Sequence, residues 1–151
     1  MSDSDDEEYE NCLESLETFD ETGMGTGVKT NNRLQKHTLI GEYKGSQELT
    51  YLEALEYMRN NRMHYILKAH KDDVYINGDG PQGNILKYIN HKCLNSNCEL
   101  VKLSSTKVGI ITKRVILPGE SLNYDYNITY FEGVRKVTIK CNCHLDCPNF
   151  M

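Results

Sequence analysis

Apolar and polar residues alternate along this chain in short runs, cut repeatedly by Asn, Gly, Asp and Pro. Thr38-Leu39-Ile40 followed by Glu42-Tyr43 predicts a strand closed by Gly45. Tyr65-Ile66-Leu67, Val74-Tyr75-Ile76, Val108-Gly109-Ile110-Ile111 and Ser121-Leu122-Asn123-Tyr124-Asp125-Tyr126 predict further strands. Near the N-terminus the signal is double. Tyr9, Cys12, Leu13 and Leu16 fit a helical stripe, whereas Leu16-Glu17-Thr18-Phe19 alternates like a strand. The strand is favoured for the second half because it runs into glycines. One stretch, Leu49 to Arg59, reads as a helix, with Leu49, Leu52 and Leu55, or else Tyr51, Leu55 and Met58, on its apolar face. The pattern predicts a mostly β domain with a few short helices and no internal repeat.

Two stretches do not fit simple alternation. In Gly23-Met24-Gly25-Thr26-Gly27-Val28 three glycines stand at alternate positions, which allows a tight turn or the close approach of a ligand. The spacing is GxGxG, not the GxGxxG of a dinucleotide site, and Asn31-Asn32 follow where a helix would have to start. In Leu86-Lys87-Tyr88-Ile89-Asn90-His91-Lys92-Cys93 a short apolar run leads into adjacent amide and imidazole groups and then a thiol, with Asn97-Cys98-Glu99 close behind.

Charge changes the picture at one end. The net charge of −5 conceals an N-terminal segment, residues 1–21, with ten acids and no Lys or Arg, while the remainder carries twelve acids against seventeen bases. Ser2-Asp3-Ser4-Asp5-Asp6-Glu7-Glu8 cannot bury apolar area and is expected to be disordered. A basic body could contact nucleic acid, yet no Lys/Arg cluster or stacked aromatic platform supports direct readout. At 151 residues the chain is long enough for one domain with its own core. It has no apolar run near the length of a membrane span, so no membrane partner is expected, and its acidic start does not read as a secretory signal. The six cysteines are therefore expected in a reducing compartment, as metal ligands or core thiols.

The glycine turn at 23–27, Asn90-His91-Lys92-Cys93, Pro118-Gly119-Glu120-Ser121-Leu122-Asn123-Tyr124-Asp125-Tyr126 and Cys141-Asn142-Cys143 with Cys147 occur in that order. This series resembles the SET-domain protein lysine methyltransferases with a post-SET zinc segment, from about Leu16 to the C-terminus. Gly41-Glu42-Tyr43-Lys44-Gly45, Tyr65-Ile66-Leu67 and Gly80-Pro81-Gln82-Gly83-Asn84 are similar to smaller family segments. The glycine turn alone is weak; Asn-His-x-Cys together with Gly-Glu-x-Leu-x-Tyr-Asp-Tyr at this separation is strong. The resemblance implies an acidic tail over residues 1–13, a SET domain over 14–134 and a post-SET zinc segment over 135–151. It also implies small curled sheets with a C-terminal pseudoknot, in which residues 90–93 thread under 121–126, an exception to the rule against threaded connections.

The same resemblance implies the chemistry. The reaction would be methyl transfer from S-adenosylmethionine to a lysine amine, in a nuclear protein acting on a histone or another basic tail that adds as a β-strand. Met24, Gly25, Thr26 and Gly27 would cradle the cofactor with their backbone. Asn90 would bond its amino-acid end, His91 would contact the adenine region, and Lys87 stands where the family usually has Arg. Tyr126 would be the catalytic tyrosine, also bordering the cofactor, with Tyr65 across the lysine channel. Tyr124 occupies the family's Phe/Tyr switch position, where a hydroxyl favours monomethylation. The plain alternative for each tyrosine is a strand aromatic packed in a core. Zn²⁺ would be held by Cys93, Cys141, Cys143 and Cys147, because three cysteines so close together need a fourth ligand. The family has four residues between its last two cysteines and this chain has three, so His144 or Cys98 could be drawn in instead. His37 sits where a turn glycine is expected, and extra residues are inserted near Asn77–Asp79 and Asn95-Ser96. The reading from another class is a non-catalytic SET-like module that contains zinc and binds a peptide or partner; Tyr65, Asn90, His91 and Tyr126 being in place argues against it.

Overall fold

The computed structural model describes residues 12–23, 25–54, 56, 66–71, 73–79, 82–92 and 94–125. Its strands are short because the punctuation is dense. In chain order they are β1 (Leu16–Glu21), β2 (Gly25–Thr30), β3 (Leu39–Glu42), β4 (Ser46–Leu49), β5 (Ile66–Lys68), β6 (Tyr75–Asn77), β7 (Asn90–His91), β8 (Cys98–Lys102), β9 (Val108–Thr112) and β10 (Asn123–Tyr124), with a 3-10 turn, η1 (Ile85–Tyr88), before β7. They form four small sheets, with orders β1-β2, β3-β9-β8, β4-β6-β5 and β10-β7. All the pairings are antiparallel except β7 with β10.

The predicted strands at 16–19, 39–43, 66–67, 74–76 and 108–111 are present with their ends shifted. The segment at 121–126 behaves differently. Ser121 bridges Lys29 of β2, Leu122 donates its N–H to the Val28 carbonyl, and only Asn123–Tyr124 pair with β7. Leu49 does not begin the helix but ends β4, opposite Tyr75, and the helical residues start at 51. The reason is a capping box. The Thr50 hydroxyl accepts from the Glu53 N–H at 3.2 Å and the Glu53 carboxylate accepts from the Thr50 N–H at 3.1 Å. Leu52 is exposed, whereas the Tyr51 ring packs 5.9 Å from that of Tyr75; Leu55, Met58 and Arg59 of the expected helix lie outside the described residues. The glycine segment also resolves differently: Gly25 and Gly27 lie in β2 itself, and Thr22-Gly23 are in the turn before it. At the start of the chain, residues 12–14 make a helical turn and Leu13 packs against the core.

The core is one cluster drawn from every sheet, with Val28, Ile40, Ile76, Ile89, Ile110 and Leu122 fully buried. Polar residues are buried beside it as well, Thr30, His91, Asn97 and Thr112 among them, and Asn97 carries the most extensive bonding. Asn97 is 1% exposed. Its N–H donates to Asn123 Oδ1 at 2.9 Å, and its own Oδ1 accepts from the Asn123 N–H at 2.9 Å. Its Nδ2 donates to the Ser121 carbonyl at 2.8 Å and to Glu120 Oε2 at 3.3 Å, and its carbonyl accepts from the Lys113 N–H at 2.8 Å. Every bonding group of the residue is thus engaged, as burial demands.

Asn97→Ala removes three of these bonds and leaves the Asn123 N–H and the Ser121 carbonyl to find new partners. The expected loss is about 2–4 kcal/mol of stability in urea denaturation. A double-mutant cycle with Asn123→Ala is expected to show coupling of about 1 kcal/mol or more; additive effects would mean the two side chains do not act as a unit.

Candidate active site

The glycines of β2 acquire their meaning from the register of the β1–β2 hairpin. Glu17 lies opposite Lys29, Phe19 opposite Gly27 and Glu21 opposite Gly25, which puts these six positions on one face because strand side chains alternate. At one end of this face Lys29 Nζ sits 3.1 Å from Glu17 Oε1 and 5.6 Å from the centre of the Phe19 ring. At the other end two positions carry no side chain. Gly25 has φ +81°, the left-handed region that disfavours any Cβ. A Cβ on Gly27 would stand 2.7 Å from Glu21 Oε1 and 3.1 Å from Asn90 Nδ2. The gap over Gly27 is where Asn90 of β7 reaches the hairpin, its Nδ2 donating to Glu21 Oε1 at 2.7 Å.

Local structure aims Asn90 at this gap. Asn84 caps η1 by accepting from the Leu86 N–H at 3.2 Å, while its Nδ2 donates to the Glu42 carbonyl at 3.0 Å, tying the turn to β3. Leu86 and Ile89 are fully buried, so the chain emerging from η1 is held by its apolar side while Asn90 is partly exposed. The parallel register then sets Asn90 beside Asn123 and His91 beside Tyr124, and the Lys92 N–H donates to the Tyr124 carbonyl at 3.1 Å. His91 is 3% exposed, with Nδ1 3.7 Å from Asp125 Oδ1. Burial pulls its pKa below the usual value, and the Asp125 carboxylate opposes that only in part. The ring is therefore neutral at pH 7. Lys87 on η1 places Nζ 5.1 Å from the centre of the Tyr88 ring.

The SET domain family profile matches residues 25–127. The chain belongs to the SET domain family. It is 32% identical over 134 residues to the histone-lysine N-methyltransferase ash1 of Drosophila melanogaster, covering 84% of this chain and 6% of that protein. Against human histone-lysine N-methyltransferase SETD2 it is 32% identical over 126 residues, covering 79% of this chain and 5% of the relative. The chain thus spans about a twentieth of the length of the curated relatives it matches. Among solved structures, ATXR5 in complex with a mono-methylated histone H3.1 superposes with a TM-score of 0.61 at 20% identity, over 85% of this chain and 67% of that one, which speaks for the fold.

Within this SET domain the fold brings together Gly27, Glu21 and Asn90, leaves open space over Gly25, and pairs His91 with Tyr124. Thr26 is exposed on the hairpin, and Tyr124 is buried in the core cluster. Met24, Tyr65, Cys93, Tyr126, Cys141, Cys143 and Cys147 lie outside the described residues. Cys98, the alternative zinc ligand, is a core thiol. It is fully buried in β8, and desolvation pushes its pKa up to about 12, which keeps it protonated. Among the described residues no group of three His, Cys, Asp or Glu side chains could hold a metal. Glu21 is the site residue that motif reasoning passes over. Its signal is register: a three-residue turn after Glu21 sets it opposite Gly25.

A depressed His91 pKa has a defined consequence for stability. The unfolded imidazole takes a proton near its usual 6.5, while the folded one stays neutral to lower pH. The stabilisation is full above 6.5 and is lost as pH falls from there to the folded-state value. Urea denaturation is expected to show a stability loss over this range of up to about 1.4 kcal/mol per pH unit. His91→Gln is expected to flatten that slope, and equal slopes would exclude His91 as its source.

Proposed function

We propose that this SET domain is a protein-lysine N-methyltransferase that uses S-adenosylmethionine and acts on a histone tail in the nucleus. The observation that carries the reading is Asn90 set against the side-chain-free end of the β1–β2 face, inside a chain of this family. Open space over Gly25, with the partly exposed Asn90 amide against the neighbouring Gly27, fits a ligand that needs close backbone approach and polar contacts at one end. The names of the relatives, histone-lysine N-methyltransferases, support the histone as substrate and hence the nucleus.

When bound, the cofactor supplies a sulfonium methyl group to an attacking amine. The chain's part is to align the two reactants and exclude water. Backbone at Met24–Gly27 holds the cofactor, with Asn90 at its amino-acid end and His91 and Lys87 beside it. Lys87 offers a point charge where Arg would offer a planar fork. Tyr126 and Tyr65 line the lysine channel, where their hydroxyl oxygens accept from the amine and make weak C–H···O contacts with the methyl. Desolvation in the channel and the neighbouring positive charge favour the neutral, nucleophilic amine. Cys93, Cys141, Cys143 and Cys147 would hold a Zn²⁺ whose role would be structural.

Incubation of the zinc-loaded protein with labelled S-adenosylmethionine and mixed histones is expected to label lysine. If no label transfers and calorimetry detects no cofactor binding, the protein is instead a non-catalytic binding module. Tyr124 is expected to hold the product at monomethyl-lysine. Mass spectrometry of Tyr124→Phe products should then show more di- and trimethyl-lysine, and an unchanged distribution would refute that role. Cys93→Ser is expected to lose zinc and activity together, whereas retained zinc would assign the fourth ligand to another residue such as His144.

A further inference from the structure

We propose that Glu21 is a positioning residue for the cofactor site, acting through Asn90. The inference rests on the reading of Asn90 given above. An Asn amide can bind in either of two orientations, donor or acceptor forward, and its neighbours decide which. Here the neighbour decides alone. An ionised carboxylate can only accept, so the 2.7 Å contact between Glu21 Oε1 and Asn90 turns Nδ2 toward the hairpin. The acceptor Oδ1 is then the end of the amide left to meet a donor, such as the ammonium of an amino-acid moiety.

Three features of the hairpin put Glu21 in this role. It is the last residue of β1, and its cross-strand partner is Gly25, so no side chain across the strand competes for its place. Gly27 leaves the room it needs, since a Cβ there would lie 2.7 Å from its carboxylate oxygen. The nearest cation on the same face, Lys29, is engaged at the far end with Glu17 and Phe19. The carboxylate is thus directed to Asn90 by what surrounds it.

The test is the affinity of the zinc-loaded protein for two probes, S-adenosylhomocysteine and methylthioadenosine, of which the second lacks the amino-acid moiety. Glu21→Ala frees the amide to rotate and is expected to weaken S-adenosylhomocysteine binding by about tenfold, the scale of one hydrogen bond to a charged group. Glu21→Gln can still present a carbonyl oxygen to Asn90 Nδ2, so its affinity is expected to stay within about threefold of the unsubstituted protein. Methylthioadenosine binding should be alike in all three proteins. The Asn90 side-chain amide resonances should move in Glu21→Ala and hold in Glu21→Gln. The proposal is overturned if Glu21→Ala binds S-adenosylhomocysteine normally, if both probes weaken equally, or if Glu21→Gln loses as much as Glu21→Ala. Failure of the unsubstituted protein to bind S-adenosylhomocysteine would instead remove the cofactor reading itself, and this inference with it.

Discussion

The reciprocal bonding of Asn97 and Asn123 is the constraint on which the arrangement around the site depends. Two backbone N–H groups and two side-chain oxygens exchange hydrogen bonds, and the remaining amide hydrogens reach Ser121 and Glu120. A buried amide left unsatisfied costs more than a satisfied one contributes, so the clamp accepts one geometry and rejects near misses. That geometry delivers residues 121–124 to two different partners in succession. Ser121 and Leu122 lie along β2, and Asn123 and Tyr124 turn to lie along β7. The hairpin that carries the glycines and the strand that carries Asn90 are thereby held on either side of one short segment. Arg114 extends the arrangement outward, donating to the same Glu120 oxygen at 2.8 Å.

Strands were legible where β-branched and aromatic residues met clear punctuation, as at 39–42, 75–77 and 108–112. β4 and β8 are among the strands that escaped that test. β4 has no apolar alternation to announce it, and β8 hides its period behind Cys98, which draws attention as a metal ligand although it serves as a core residue. The helix boundary was readable only through Thr50 and Glu53, because capping chemistry, not hydrophobic spacing, decides where a helix starts. His37, by contrast, has φ +63°, so its position behaves as the turn glycine that the family pattern has there.

At the site, motif spacing located Asn90, His91 and the glycines but could not say what joins them. Glu21 and Asn97 belong to no motif. Each matters through a contact between residues far apart in sequence, Glu21 with Asn90 and Asn97 with Asn123. Such contacts follow from register and sheet order, which a single sequence constrains weakly. Of the three alternating glycines only Gly23 lies in the turn, while Gly25 and Gly27 belong to β2, a strand with little periodicity to read because they lack side chains.

Parallel strands cannot be joined by a tight turn, and β7 and β10 are separated by the whole β8–β9 hairpin. Bringing Asn123 beside Asn90 closes a long loop whose entropy must be recovered by contacts that exist only once the loop has closed. Its sequence separation sets this pairing apart from the hairpins, whose contacts are local. This closure sets Asn90 beside Asn123 and His91 beside Tyr124, so the surroundings of β7 depend on long-range contacts as well as on local folding.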